Sequence, residues 1–125
     1  MSKNFPSEYK LGVLGGGQLG KMLAIEAANW GLPFHVLDVS PDFPAGPYCT
    51  DFTEGSFKNY DDVYNFGKDK DVVTIEIEHV NTKALLQLQK EGVTVHPSPQ
   101  ALEIIQDKGL QKQFYEQKGL ATAPF

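Results

Sequence analysis

The chain has 125 residues, enough for one compact domain and too few for a second catalytic lobe. Lys and Arg number 11 against 16 Asp and Glu, a formal net charge of −5, and no basic run is long enough to neutralise a row of phosphates, which argues against a polyanion-binding protein. With 41% hydrophobic and 22% charged residues, the composition is that of a folded domain and excludes disorder as the main state.

The first feature along the chain is the apolar run Leu11-Gly-Val-Leu14, which passes straight into Gly15-Gly-Gly-Gln-Leu-Gly20 and then into a helix-period segment. The pattern predicts strand, tight turn and helix. Over residues 18–30 the apolar positions Leu19, Leu23, Ala27 and Trp30, flanked by Met22 and Ala24, recur at spacings of three and four, so they are expected to form the buried face, with Gly31 ending the helix. Phe34-His-Val-Leu-Asp38 reads as a second strand with an acidic last residue, followed by a Pro- and Gly-rich loop over residues 40–47.

A short strand is expected around residues 51–53, with a turn at Gly55. Asn59 is placed to cap a helix from Tyr60 to Gly67, and Val72-Val-Thr-Ile75 is a β-branched run suited to a buried parallel strand. Asn81 is placed to cap a helix with Leu85, Leu86 and Leu88 inward, ending near Gly92 before a strand at residues 93–95. Ser98-Pro99 starts another helix, with Leu102 and Ile105 inward. Asp107 is expected to cap a last helix carrying Leu110, Phe114 and Tyr115 and stopping at Lys118-Gly119. Strand and helix alternate throughout. The expected fold is α/β, a Rossmann-like open parallel sheet with helices on both faces, in one domain over residues 1–125.

The run Gly15-Gly16-Gly17-Gln18-Leu19-Gly20 matches G-x-G-x-x-G between strand and helix. Without side chains, backbone amides can approach an anion at the positive helix end, so a phosphate or pyrophosphate site is inferred; the alternative is a tight turn needing Gly for conformation alone. Asp38 follows Gly20 by about 18 residues, near where a nicotinamide dinucleotide fold places the acid that binds a ribose hydroxyl. It can equally be a loop residue making a local turn. In Thr74-Ile75-Glu76-Ile77-Glu78-His79, Glu76 and Glu78 share parity, and a persisting strand would point both carboxylates to one side about 7 Å apart. A carboxylate near a phosphate is repelled by it, so its useful role is to accept hydrogen bonds from hydroxyls or an amino group elsewhere on the ligand. The bland alternative is a pair of solvated strand-end charges.

His35, His79, His96 and Cys49 show no metal-ligand spacing, and no metal is assigned. His35, within an apolar strand, is expected to be a packed, hydrogen-bonded residue. One cysteine cannot close an internal disulfide, the amino terminus lacks the apolar core of a signal peptide, and no stretch reaches the roughly 18 apolar residues of a membrane span. A cytoplasmic protein is expected.

Three segments, Gly15-Gly-Gly-Gln-Leu-Gly-Lys-Met22, Thr74-Ile-Glu-Ile-Glu-His-Val80 and Pro97-Ser-Pro-Gln-Ala-Leu-Glu-Ile-Ile-Gln-Asp-Lys-Gly-Leu-Gln-Lys112, with the ending Ala123-Pro-Phe125, occur in the same order in one known family. Together they resemble the amino-terminal preATP-grasp domain of the N5-carboxyaminoimidazole ribonucleotide synthases, in the ATP-grasp superfamily. The resemblance implies a ligase of purine biosynthesis that uses ATP, bicarbonate and Mg²⁺ to carboxylate 5-aminoimidazole ribonucleotide, releasing ADP and phosphate, and it implies a homodimer. It assigns Gly17, Gln18 and Leu19 to the substrate's 5′-phosphate, Glu76 to its ribose or aminoimidazole end, and Lys108 to the ATP phosphates. It also implies a nucleotide-grasping domain and a carboxy-terminal domain absent from this chain, and these would carry the Mg²⁺ ligands. The 125-residue chain is therefore expected to fold without synthase activity. The competing expectations are the nucleotide-binding domain of an NAD-dependent oxidoreductase, on the glycine fingerprint and Asp38, and a non-catalytic scaffold.

Overall fold

A computed structural model of the chain describes residues 5–106. The expected last helix and Lys108 lie outside the described residues. A 3-10 turn at Pro6–Glu8 leads into strand β1, Leu11–Leu14, helix α1, Gln18–Asn29, and strand β2, Phe34–Asp38. A second 3-10 turn, Gly46–Tyr48, precedes β3, Asp51–Glu54. Then come α2, Tyr60–Gly67, β4, Val72–Ile75, α3, Thr82–Lys90, β5, Thr94–Val95, and α4, Pro99–Gln106.

The five strands form one sheet in the order β3-β2-β1-β4-β5, and every pairing is parallel. Leu11 of β1 is in register with Phe34 on one side and Val72 on the other. The chain starts in the middle, winds outward through β2 and β3, then crosses back to β4, so the order reverses between β1 and β4. In open α/β sheets that reversal opens a crevice at the carboxyl ends of the strands, which is where ligands bind.

The local reasons for the helices are those the sequence predicts. Asn59 Oδ1 accepts from Asp62 N at 2.9 Å, Asn81 Oδ1 from Ala84 N at 2.9 Å, and Ser98 Oγ from Ala101 N at 3.2 Å, so each satisfies an amide that no helical carbonyl can reach. Gly31 and Gly92 close α1 and α3 at φ +67° and +99°, backbone that favours glycine.

Two cores lie on opposite faces of the sheet. One joins Leu14, Leu37 and Val73 to Val63, Leu85, Leu88 and Leu102 from the helices. The other joins Val13, Phe34 and Val36 to Ala24, Ala27 and Ala45. The second core corrects the expected face of α1, whose buried residues are Gly20, Ala24 and Ala27. Leu19, Leu23 and Trp30 are 58%, 44% and 69% exposed. The reason is steric: a Cβ on Gly20 would stand 2.9 Å from the Gly15 carbonyl oxygen, so this helix lies too close to the sheet for large side chains. In α3, Ala84 joins Leu85 and Leu88 inside while Leu86 is half-buried, and in α4 Leu102 is buried but Ile105 is exposed.

Candidate functional site

The crevice is built from the ends of β1, β2 and β4. Directly after β1 the chain makes the glycine loop, Gly15, Gly16 and Gly17, with Gly15 at φ +112°. Gly15 N donates to Leu37 O at 3.0 Å, and Ala45 N donates to Gly16 O at 3.0 Å, so the loop is braced from both β2 and the following turn. Gly17 is the N-cap of α1 and offers no side chain to it. The first intrahelical donor is Lys21 N, to Gly17 O at 2.9 Å. The amides of Gln18, Leu19 and Gly20 therefore lack intrahelical acceptors at the positive end of a 12-residue helix, and Gly20 itself is buried. Gln18 and Leu19 are exposed. This arrangement can hold an anionic oxygen without any lysine or arginine.

Two carboxylates meet the loop. Asp38, at the end of β2 and only 4% exposed, accepts from Gly16 N through Oδ2 and from Val39 N through Oδ1, both at 2.7 Å. The Asp38 carboxylate does more than make a local turn: it ties the glycine loop to the end of β2 from inside. The sequence treated Asp38 as a ligand or a turn residue, and its tie to a glycine 22 positions upstream had no local signature.

Glu76 follows β4, and its amide donates to Leu14 O at 2.8 Å, which extends the pairing of β4 with β1 by one bond. That bond delivers the half-buried Glu76 side chain onto the loop, where Oε2 accepts from Gly17 N at 3.4 Å, the long limit of a hydrogen bond. A Cβ at Gly15 would stand 2.5 Å from Glu76 Oε2, and one at Gly17 would stand 2.7 Å from Oε1. These two glycines therefore leave room for a carboxylate from the neighbouring strand.

Glu78 is not brought to the site, and of its two readings the solvated charge is the one that fits. The strand ends at Ile75 and the chain bends over residues 76–78, leaving Glu78 exposed. What Glu78 contributes is its backbone oxygen, which accepts from Gln106 Nε2 at 2.6 Å. Beyond that bend lies a cleft of about 470 Å³ lined by Lys58, His79, Asn81, Thr82, Lys83 and Gln106, with no residue of the glycine loop in its wall.

The other candidates stand away from the loop. His35 is half-buried on β2, and burial, helped by the nearby Lys70 ammonium, holds its imidazole below its ordinary pKa. Burial likewise pushes the Cys49 thiol up, and its Sγ donates to Gly46 O at 3.2 Å, so it is not an activated nucleophile. Among the described residues no group of three or more His, Cys, Asp or Glu side chains is placed to hold a metal ion.

Residues 9–106 match the model of the ribonucleotide synthetase preATP-grasp domain. The chain is 39% identical over 119 residues to phosphoribosylaminoimidazole carboxylase of Candida glabrata, covering 91% of this chain and 20% of that protein. Among solved structures, the N5-carboxyaminoimidazole ribonucleotide synthetase of Thermotoga maritima superposes with a TM-score of 0.87 at 40% identity, covering 93% of this chain and 32% of that one. The Aspergillus clavatus N5-carboxyaminoimidazole synthase, solved with ADP and 5-aminoimidazole ribonucleotide, superposes with a TM-score of 0.85 at 39% identity, over 94% of this chain and 32% of that one. The chain thus spans about a fifth of the curated relative and about a third of the solved ones. On the match over residues 9–106, the chain belongs to the ribonucleotide synthetase preATP-grasp domain family.

Proposed function

We propose that this chain is the part of an ATP-dependent carbon–nitrogen ligase that binds 5-aminoimidazole ribonucleotide, the ligand its Aspergillus clavatus relative was solved with. The observation that carries the reading is the open first turn of α1 beside Glu76. Gly17, Gln18 and Leu19 hold the 5′-phosphate, largely through backbone amides at the open first turn of α1. Glu76 is not a ligand of the phosphate itself, because two anions at contact repel. It accepts hydrogen bonds from the ribose hydroxyls or the amine of the same ligand. Phosphate and sugar-base ends are thereby held at fixed separation, so the amine is presented in one orientation.

In this reading the whole enzyme activates bicarbonate with ATP and transfers the carboxyl group to the amine, releasing ADP and phosphate. Lys108 serves the ATP phosphates. Mg²⁺, most ATP contacts and catalysis belong to a nucleotide-grasping domain and a carboxy-terminal domain, in a cytoplasmic homodimer.

Calorimetric titration of the chain with 5-aminoimidazole ribonucleotide tests this, with Glu76→Gln as the comparison. Binding by the wild type, weakened about tenfold in the variant with an unchanged melting curve, is expected for the loss of one charge-assisted contact. Equal affinity in the two proteins would remove Glu76 from the site.

A further inference from the structure

Of the 11 large hydrophobic residues exposed among the described ones, five lie on α1 or at its C-cap: Leu19, Met22, Leu23, Ile25 and Trp30. Leu19, Leu23, Glu26 and Trp30 follow one another at spacings of four, three and four, so they form one stripe along the helix, which Met22 adjoins. Apolar residues exposed singly are ordinary on a protein surface, whereas a continuous apolar stripe marks an interaction site. Beside the C-terminal half of the stripe runs a groove of about 200 Å³, between α1 and the part of the sheet that α1 leaves uncovered, walled by Leu11, Val13, Leu23, Trp30, Leu32 and Phe34. The one charged residue in its wall, Glu26, already accepts from Trp30 Nε1 at 3.0 Å, so its carboxylate keeps a donor when the groove is covered.

We propose that α1 is the self-association face of this chain: a second copy crosses it antiparallel about a twofold axis and sets its Leu19 and Met22 into the groove beside Trp30. The protruding residues and the groove occupy opposite halves of one helix, with Leu19 and Trp30 about 16 Å apart along the axis. A twofold contact requires one surface to carry both complementary parts, and an antiparallel copy presents the same two parts in reverse order, so both grooves are filled at once. Each copy carries a net charge of −5, yet the stripe holds only Glu26, so two acidic chains meet there without a row of like charges. Stripe and groove offer on the order of 600 Å² per copy, less than the ~800 Å² per partner of a standard stable interface, so the dimer is weak and forms well above micromolar concentration. This gives the homodimer of the proposed function a surface and rests on that reading for the number of copies.

The test is sedimentation equilibrium of the 125-residue chain from about 5 to about 500 µM, together with the fluorescence of Trp30, the only tryptophan in the chain. The weight-average mass should rise toward twice that of the chain, and the Trp30 emission should move to the blue over the same range as the indole leaves water. Met22→Lys, which puts a charge on the stripe and spares Leu19 for the phosphate site, should raise the dissociation constant at least about tenfold and hold the emission at its monomer position. Ile105→Lys adds the same charge at an exposed apolar residue of α4 and should change neither readout. If Met22→Lys melts early, the wild-type emission series decides, since it needs no variant. A dimer with unmoved emission, equally strong in Met22→Lys, would overturn the inference and leave the homodimer standing. One mass at every concentration would overturn both, while ribonucleotide binding is read by its own titration.

Discussion

On one face of the sheet, Leu14, Leu37 and Val73 pack against Val63, Leu85, Leu88 and Leu102; on the other, Val13, Phe34 and Val36 pack against Ala24, Ala27 and Ala45. Large aliphatic side chains hold α2 and α3 at full side-chain distance and remove much apolar surface from water. Small residues let α1 settle until Gly20 reaches the carbonyl of Gly15. The first face supplies stability, and the second gives up burial to bring a helix N-terminus to the rim. A face built for approach leaves its own large residues, Leu19, Leu23 and Trp30, turned to solvent.

The largest effect is expected from Leu85→Ala on the aliphatic face. Leu85 is fully buried, and its truncation should cost about 3 kcal/mol in urea denaturation while ribonucleotide affinity, measured well below the midpoint, stays unchanged. A loss below about 1 kcal/mol would mean that the aliphatic core does not carry the fold.

Asp38→Ala comes next. It strips the acceptors from Gly16 N and Val39 N and should cost about 2 kcal/mol, less than Leu85→Ala because Val39 is exposed and water can reach its amide. An unchanged denaturation midpoint would show that the loop holds its shape without the tie to β2.

A smaller effect should come from His35. Its folded pKa is lowered, by burial first, so the unfolded chain binds the proton more readily. Stability is therefore complete above about pH 6.5, the unfolded value, and declines as pH falls from there through the depressed folded value. Urea midpoints at pH 7.5 and 5.5 should differ less in His35→Gln than in the wild type. An equal difference in both would place the pH response elsewhere.

Trp30→Ala should do least, within about 0.5 kcal/mol, since the ring is 69% exposed and its Nε1 donates only to Glu26 at 3.0 Å on the same helix. A cost above about 1 kcal/mol would put Trp30 back into the core.

Which parts of this were legible in the sequence follows from the range of the forces involved. The caps at Asn59, Asn81 and Ser98 are local hydrogen bonds over three residues, and their side chains announce them. The parallel sheet followed from alternating apolar runs and helices, and the family from motifs in fixed order. The buried face of α1 was not legible, because Gly20-Ala24-Ala27 and the stripe of large residues beside it share one period. Which stripe faces inward depends on how close the helix lies to the sheet, a distance no propensity encodes. Glu78 stays a solvated charge for a related reason: parity places side chains only while the strand continues, and this one bends after Ile75. Glu76 was legible because it sits one residue past the strand, where the β1 pairing still orients it.

The measurement that reaches the central claim most directly is an amide NMR titration of the wild-type chain with 5-aminoimidazole ribonucleotide. Saturable shifts are expected to concentrate at Gly17, whose amide bonds Glu76, and at Gln18 and Leu19. Saturable shifts elsewhere with those three amides unmoved, or no shifts at all, would contradict a ribonucleotide site at this loop.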